Sequence, residues 1–446
     1  MRIKKIKVKK LFGIFNHEIN MKLEEQITII HGSNGLGKTT LLRMINSLLN
    51  LNFLELSAIP FEQFEIFFGD GSTILVKKKN DEVKKNSNER LGGLVVSYIQ
   101  LGKKPLNYTP VVESIEDILS IPINAVEDVV PGLSQIDRRM WRYLPTGESL
   151  ELRDVILRFS EYFPEESIKF GKLPEWLINL KERNPIQFIK TQRLLSSSPI
   201  SENKFRRHKN FMENAVSVYS TELAKAVEAS FTDYGKIAQT LDRSFPARLV
   251  RLNSSDELSK EELLERLKEL EAKRQRLISL GLLDNSTELN IQVTENEIYD
   301  RTQSVLSIYV KDMGDKLKVF DDLAEKIDLL RKIINPKFKY KEMIVNKEKG
   351  ITFKTSIGEH LSPDNLSSGE QHQLVLFYEL LFKIKPNSLI LIDEPELSFH
   401  VAWQVEFLKD LQEITKIVSF DVLIATHSPQ IINDRWDLTE ELEGEN

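Results

Sequence analysis

Residues 27–31, Ile-Thr-Ile-Ile-His, form a β-branched run that passes at once into Gly32-Ser33-Asn34-Gly35-Leu36-Gly37-Lys38-Thr39-Thr40 and then Leu41-Leu42-Arg43-Met44-Ile45. That order predicts strand, glycine loop and helix. The first ten residues alternate charged and apolar positions, which predicts an opening strand and no signal peptide. Apolar stretches at 64–68, 73–76 and 94–99 alternate with turn signals at Gly69-Asp70-Gly71 and Asn86-Ser87-Asn88, and predict antiparallel strands. From 110 to 185 short helical patterns and repeated prolines predict a mostly helical stretch. Residues 186–192 then predict one more strand.

The clearest helical periodicity lies in 254–335. Ser254 with Glu257 has capping-box spacing, Leu263, Leu267, Leu270 and Leu277 form a seam broken by Arg274, and the helix is expected to stop near Gly281. Thr294 with Glu297 would open a second helix, whose seam of Phe320, Leu323, Ile327, Leu330 and Ile334 runs to Pro336. An antiparallel coiled-coil hairpin and two ordinary packed helices both fit this pattern. Beyond it come strands at 343–345 and 351–353, a helix at 368–384, a strand at 389–392, a helix at 401–417 and a last strand at 422–425. Strands alternating with helices predict a parallel sheet with its chemistry at the carboxyl ends. The expected organisation is an α/β head split by a helical insertion: 1–109, the insertion 110–253 with one head strand near 186–192, the hairpin 254–336, and the second head lobe 337–446.

Composition narrows the class. The 446 residues allow roughly three structural units. No aliphatic run approaches the roughly 20 residues of a spanning helix, so no membrane partner is expected. The absence of cysteine excludes disulfides, cysteine metal sites and thiol nucleophiles, and fits a cytoplasmic protein. A net charge of −6 argues against a surface that tracks nucleic acid throughout. Local basic patches at 77–79, 84–85 and 206–209 leave direct nucleic-acid binding open.

The chemistry begins at Gly32-x-x-x-x-Gly37-Lys38-Thr39, a full phosphate-binding loop. Its backbone N–H groups can surround phosphates, Lys38 can reach the β- and γ-phosphates, and the Thr39 hydroxyl can ligate Mg²⁺. Such a loop needs an acidic partner from a neighbouring strand end. Residues 389–394, Leu-Ile-Leu-Ile-Asp-Glu, supply Asp393 for the metal and Glu394 to polarise the attacking water. Leu366-Ser367-Ser368-Gly369-Glu370 opens a helix, and Ser367 with Glu370 has capping-box spacing; the same uncrowded N-terminus and hydroxyls suit a γ-phosphate. Ala425-Thr426-His427-Ser428-Pro429 ends a strand where His427 could sense that phosphate.

These four elements, in this order, resemble the head of ABC-type ATPases, in particular the SMC/RecF-like branch, over about half of the chain. The 329 positions between Lys38 and Ser367 speak against a transporter subunit. The resemblance implies ATP and Mg²⁺ as cofactors and a homodimer in which two heads sandwich two nucleotides. Gly32, Asn34, Gly35, Gly37, Lys38, Thr39 and Thr40 would hold ATP in one subunit, with Ser367, Ser368, Gly369 and Glu370 reaching across from the other. It implies Glu394, His427 and Lys38 as catalytic residues, and Thr39, Asp393 and a glutamine at the metal. That glutamine is Gln192, Gln100 or neither. Two departures stand out: Ser368 replaces a usual glycine, and His400 stands where repair-type heads place aspartate.

The stretch Glu394-Pro395-Glu396-Leu397-Ser398-Phe399-His400, the Thr-His-Ser-Pro ending and the moderate insertion resemble the stand-alone ATPases of bacterial anti-phage operons, most like the PARIS ATPase subunit and next the Septu ATPase. Related overcoming-lysogenization nucleases add a Toprim domain after the head, whereas nineteen residues follow His427 here. This likeness implies a higher homo-oligomer, a hexamer, that holds a separate Toprim-type nuclease effector until a phage-encoded trigger protein releases it. The competing reading is a DNA-repair or chromosome-associated ATPase that binds duplex DNA directly.

Overall fold

The computed structural model describes the chain apart from residues 79–92, 111–121, 131, 138, 160–162, 164–172, 190–194, 198–211, 252–257, 285–299 and 445–446. Gln192 and the pairs Ser254/Glu257 and Thr294/Glu297 lie outside the described residues. The chain forms two compact units, Met1–Glu213 with Lys383–Asn446, and Asn214–Phe382. Residues 337–382 fall in the second of these units, with the long helices.

In the first unit, β1 (Ile3–Leu11), β2 (Phe15–Asn20), β4 (Gln63–Phe68), β5 (Thr73–Lys78), β6 (Leu94–Ile99) and β7 (Leu106–Tyr108) form an antiparallel sheet in the order β2-β1-β4-β5-β6-β7. Along β4, buried and half-buried residues alternate, as one core-facing side requires. A second sheet is wholly parallel, in the order β11-β17-β18-β3-β19. Its members are β3 (Ile27–His31), β11 (Ile186–Ile189), β17 (Leu389–Asp393), β18 (Asp421–Ala425) and β19 (Thr439–Glu441). Every residue of β17 and β18 is buried, which is why both read as unbroken apolar runs. β19 corrects the expectation that 422–425 is the last strand. Its three residues, Thr-Glu-Glu, carry no apolar signal, and backbone pairing to β3 alone makes it a strand.

Helix α1 (Lys38–Leu49) follows the glycine loop and buries Leu41, Leu42, Met44, Ile45, Leu48 and Leu49 in one core with Phe53 of the short helix α2 (Phe53–Ala58), Phe64 and Phe68. In 110–185 the described residues add strands to the expected helices. The described part holds short helices α3 (Val126–Val129), α4 (Leu152–Arg158) and α5 (Glu175–Arg183), together with an antiparallel sheet of β8 (Leu133–Asp137), β9 (Met140–Tyr143) and β10 (Glu148–Glu151). These strands are only four or five residues long and rich in polar residues, so no period of two emerges from them. A brief pairing of β12 (Leu195–Ser197) with β13 (Met212–Asn214) follows.

The second unit contains α6 (Ala215–Arg251), α7 (Lys260–Ser279), α8 (Asp300–Lys318), α9 (Asp321–Ile334), the sheet β14 (Lys341–Asn346), β15 (Gly350–Thr355) and β16 (His360–Leu361), and α10 (Ser368–Tyr378). Helix α7 is opened by a different capping box from the expected one. Ser259 Oγ accepts from the Glu262 N–H at 3.2 Å, and Glu262 Oε2 accepts from the Ser259 N–H at 2.9 Å. It ends beside Gly281, as expected. The apolar contacts of α7 around Leu263 are with Leu306, Tyr309 and Val310 of α8, while Lys273 and Arg276 farther along α7 pair with Asp321 and Asp328 of α9, whose seam from Phe320 to Ile334 is buried. In the described residues the second arm is thus two helices rather than one. Gly350, at φ +69°, lets β15 lie against α6: a Cβ there would stand 1.7 Å from the Ser220 carbonyl oxygen. The Ser220 hydroxyl donates to the carbonyls of Lys349 and Ile351 at 2.7 and 2.9 Å.

Candidate nucleotide-binding site

Register brings the distant motifs together in the first unit. Asp393 pairs with Ala425, and Ala425 pairs with Ile30, so the carboxyl ends of β17, β18 and β3 lie side by side. Each strand end hands its chain to a site residue: Asp393 to Glu394, Ala425 to Thr426 and His427, His31 to the glycine loop. Cross-links hold this edge, since the Glu394 N–H donates to the Ala425 carbonyl at 2.8 Å and the Thr426 N–H to the Ile30 carbonyl at 3.2 Å.

The loop itself turns on left-handed glycines. Gly35 and Gly37 have φ of +88° and +84°, and a Cβ on Gly37 would meet Leu11 Cδ2 at 2.8 Å. Gly32 passes within contact of Leu442, whose carbonyl oxygen would lie 2.7 Å from a Cβ. Helix α1 starts from Gly37 with no side-chain cap, leaving a helix N-terminus for an anion. Asn34 and Gly35 are exposed on the loop, and Thr40 lies in the first turn of α1.

Lys38 is 5% exposed, and its Nζ donates to the carbonyls of Gly32 at 2.7 Å and Ser33 at 3.0 Å, with His427 Nδ1 3.3 Å away. Burial lowers its pKa, against the opposing pull of Glu394, Asp393 and Glu396. The Thr39 hydroxyl donates to Asp393 Oδ1 at 3.1 Å. Burial, reinforced by Glu394 and Glu396 and resisted by the Thr39 hydrogen bond, pushes Asp393 up to about 6. A buried cation and a buried carboxylate that each resist their own charge mark a site built for further charges. Thr39 Oγ1 and Asp393 Oδ1 are hard oxygen donors from the elements that flank the loop, which suits Mg²⁺ completed by phosphate and water. Among the described residues there is no cluster of three or more His, Asp or Glu side chains for another kind of metal centre.

Glu394 occupies left-handed backbone, φ +44° and ψ +57°, an uncommon position for a side-chain-bearing residue that often marks functional sites. Its Oε1 lies 3.8 Å from His427 Nε2, and both side chains are 31% exposed. His427 therefore stands between Lys38 and Glu394. Sequence reasoning missed the residue that holds it there. Glu396 Oε1 accepts from both the Thr426 hydroxyl and the His427 N–H, each at 2.8 Å. Ser428 extends the tie by donating to Gln404 Oε1 at 2.7 Å, and Gln404 Nε2 donates back to the Glu396 carbonyl. The repeated acid in Glu394-Pro395-Glu396 was the available signal. His400 caps α11 (Val401–Val418) by accepting from the Ala402 N–H at 3.3 Å, so the departure noted at this position has a local structural use.

In the second unit, Ser367 and Glu370 form a complete capping box at the start of α10. Ser367 donates from both Oγ and N–H to Glu370 Oε2, at 2.8 and 2.9 Å, and Lys341 Nζ donates to both Glu370 oxygens at 2.8 and 2.7 Å. Burial alone would raise Glu370, but Lys341 and Ser367 outweigh it and hold the carboxyl below its ordinary value. Ser367 and Ser368 remain exposed and Gly369 half-buried. Of the candidate glutamines, Gln100 donates to the Tyr98 hydroxyl at 3.2 Å.

A family model described as an AAA ATPase domain matches residues 1–432. The chain belongs to the AAA ATPase domain family. It is an ATPase by that membership, and nucleotide use follows from it. No curated protein matches the chain. Among solved structures it is similar to the Smc head domain with an extended coiled coil bound to the C-terminal domain of ScpA from Pyrococcus furiosus, at 12% identity and a TM-score of 0.30, covering 96% of this chain and 90% of that one. It is also similar to the SMC head domain from Thermotoga maritima, at 11% identity and a TM-score of 0.30, covering 99% and 93%. Among the described residues no helix is long and apolar enough to cross a membrane.

Proposed function

We propose that the chain is an ABC-type, SMC/RecF-like head that hydrolyses Mg-ATP, with each site completed by a second copy. The observation that carries this reading is the convergence of Lys38, Thr39, Asp393, Glu394 and His427 on one sheet edge, from stretches more than 350 residues apart in sequence. Lys38 would leave its loop carbonyls for the β- and γ-phosphates. Mg²⁺, held by Thr39 and Asp393, would offset phosphate charge when bound. Glu394 would orient and deprotonate the attacking water, while His427, fixed through Glu396, would contact the γ-phosphate. Ser367, Ser368 and Gly369 of a second copy would close the site, using an exposed helix N-terminus.

Within the cell we assign the protein the role of an ATP-driven scaffold and sensor in bacterial anti-phage defence, assembled beyond the dimer to a hexamer. It would restrain a separate Toprim-type nuclease until a phage protein intervenes. The support is the likeness of the 394–400 and 425–429 stretches to such ATPases. Lys38→Ala is expected to lower Mg-ATP affinity by about a hundredfold or more, since a charge-assisted contact is lost. Mixing Lys38→Ala with Ser367→Arg chains should restore up to one working site per dimer. Unchanged affinity in the first variant would refute the site, and absence of rescue at every mixing ratio would refute its sharing between copies. Co-purification with a nuclease from the native operon tests the cellular role, and a steep loss of DNA affinity with salt would favour the repair alternative.

A further inference from the structure

We infer that His17 is a positioning residue of the phosphate loop, its ring Nε2 pinning the Leu36 carbonyl and thereby fixing the Leu36–Gly37 peptide. The inference rests on the reading of residues 32–40 as the ATP-binding loop, and deepens it.

His17 lies on the core-facing side of β2, 4% exposed, at a position where the alternation of the strand calls for an apolar residue. A buried imidazole is costly unless it is hydrogen-bonded. Here the bond goes to the loop: Nε2 lies 2.8 Å from the Leu36 carbonyl oxygen. A carbonyl can only accept, so Nε2 carries the proton and the ring is the Nε2–H tautomer. Nδ1 is buried with no hydrogen-bond partner among the described residues, so it gives a second proton nowhere to go. Burial accordingly keeps the ring's pKa below its ordinary value, although the Leu36 bond partly opposes this. Phe15 stacks on the imidazole at 5.7 Å with the planes 12° apart, limiting its rotation.

The consequence for the loop follows from peptide geometry. A trans peptide is planar, with its carbonyl and its N–H pointing in opposite directions. Holding the Leu36 oxygen toward His17 therefore aims the Gly37 N–H the other way, and Gly37 is the residue from which α1 starts. The backbone at Gly37 also has little room, at φ +84° and crowded by Leu11 and Phe12. Leu36 itself is buried, so its carbonyl without His17 would lack a partner and rotate to find one. The loop would lose part of its preorganisation for phosphate while the core around residue 17 stayed filled.

The test compares Mg-ATP affinity, steady-state kinetics and melting temperature for wild type, His17→Leu and His17→Gln. Leucine fills the space without a donor, whereas the glutamine amide nitrogen can reach about where Nε2 stands. His17→Leu is expected to weaken Mg-ATP binding about tenfold, chiefly through KM, and His17→Gln to recover most of the loss. Wild-type affinity in His17→Leu, or no advantage of glutamine over leucine, would overturn the inference. If wild type itself fails to bind Mg-ATP, the reading of the loop falls instead. Nitrogen NMR of the wild-type histidine rings gives a check that no variant's folding can spoil: an Nε2–H signal is expected, and an Nδ1–H tautomer or a charged ring at neutral pH would overturn the assignment.

Discussion

At the scale of single residues, the site is a set of groups held against their own preferences. Lys38 is lowered by burial and Asp393 is raised to about 6, so neither charge is fully at home before a nucleotide arrives. For Asp393 the sign is definite. Folding favours its protonated form, so its contribution to stability is complete below the unfolded pKa near 3.8 and is lost as pH rises through about 6. In metal-free and nucleotide-free protein, Asp393→Asn is therefore expected to raise the melting temperature at pH 8 and to give a smaller difference at pH 5, measured by calorimetry. An equal effect at both values would show that the carboxyl is not strained. Glu396 belongs to the same scale, because one of its oxygens holds both the Thr426 side chain and the His427 backbone.

At the scale of elements, the legible parts of the sequence were those whose environment is uniform. β17 and β18 are buried throughout and β3 nearly so, so they read as apolar or β-branched runs, and the glycine loop announces itself through conformations that only glycine takes easily. The candidate residues Lys38, Thr39, Asp393, Glu394 and His427 lay at the ends of those elements and were readable for that reason. What was hidden depends on tertiary context. β19 is acidic and three residues long, α6 contains Gly235 and Pro246 within its 37 residues, and the roles of Glu396 and His17 exist only once another strand's loop has folded beside them. Gly350 is a case of the same kind: nothing local marks it, yet a side chain there would strike α6. Gly350→Ala is expected to cost about 3 kcal/mol or more, a fall of roughly 10 °C in melting temperature, because both φ and space forbid the methyl group. A melting temperature equal to wild type would mean that β15 does not lie where described.

At the scale of the whole molecule, the two compact units divide the proposed chemistry. The first carries the phosphate loop, the acidic pair and His427, and the second carries the capped, exposed start of α10. The first unit is proposed to hold Mg-ATP and the second to meet the nucleotide of another copy, so that ATP both joins two chains and is spent on separating them. This makes Glu394 the residue on which the account turns, since it is proposed to act on water and not to bind nucleotide. The most direct test is phosphate release by Glu394→Gln protein saturated with Mg-ATP. The account predicts ATP bound with near wild-type affinity and release slowed by about a hundredfold or more, with the nucleotide-bound dimer accumulating. Turnover at the wild-type rate would contradict it.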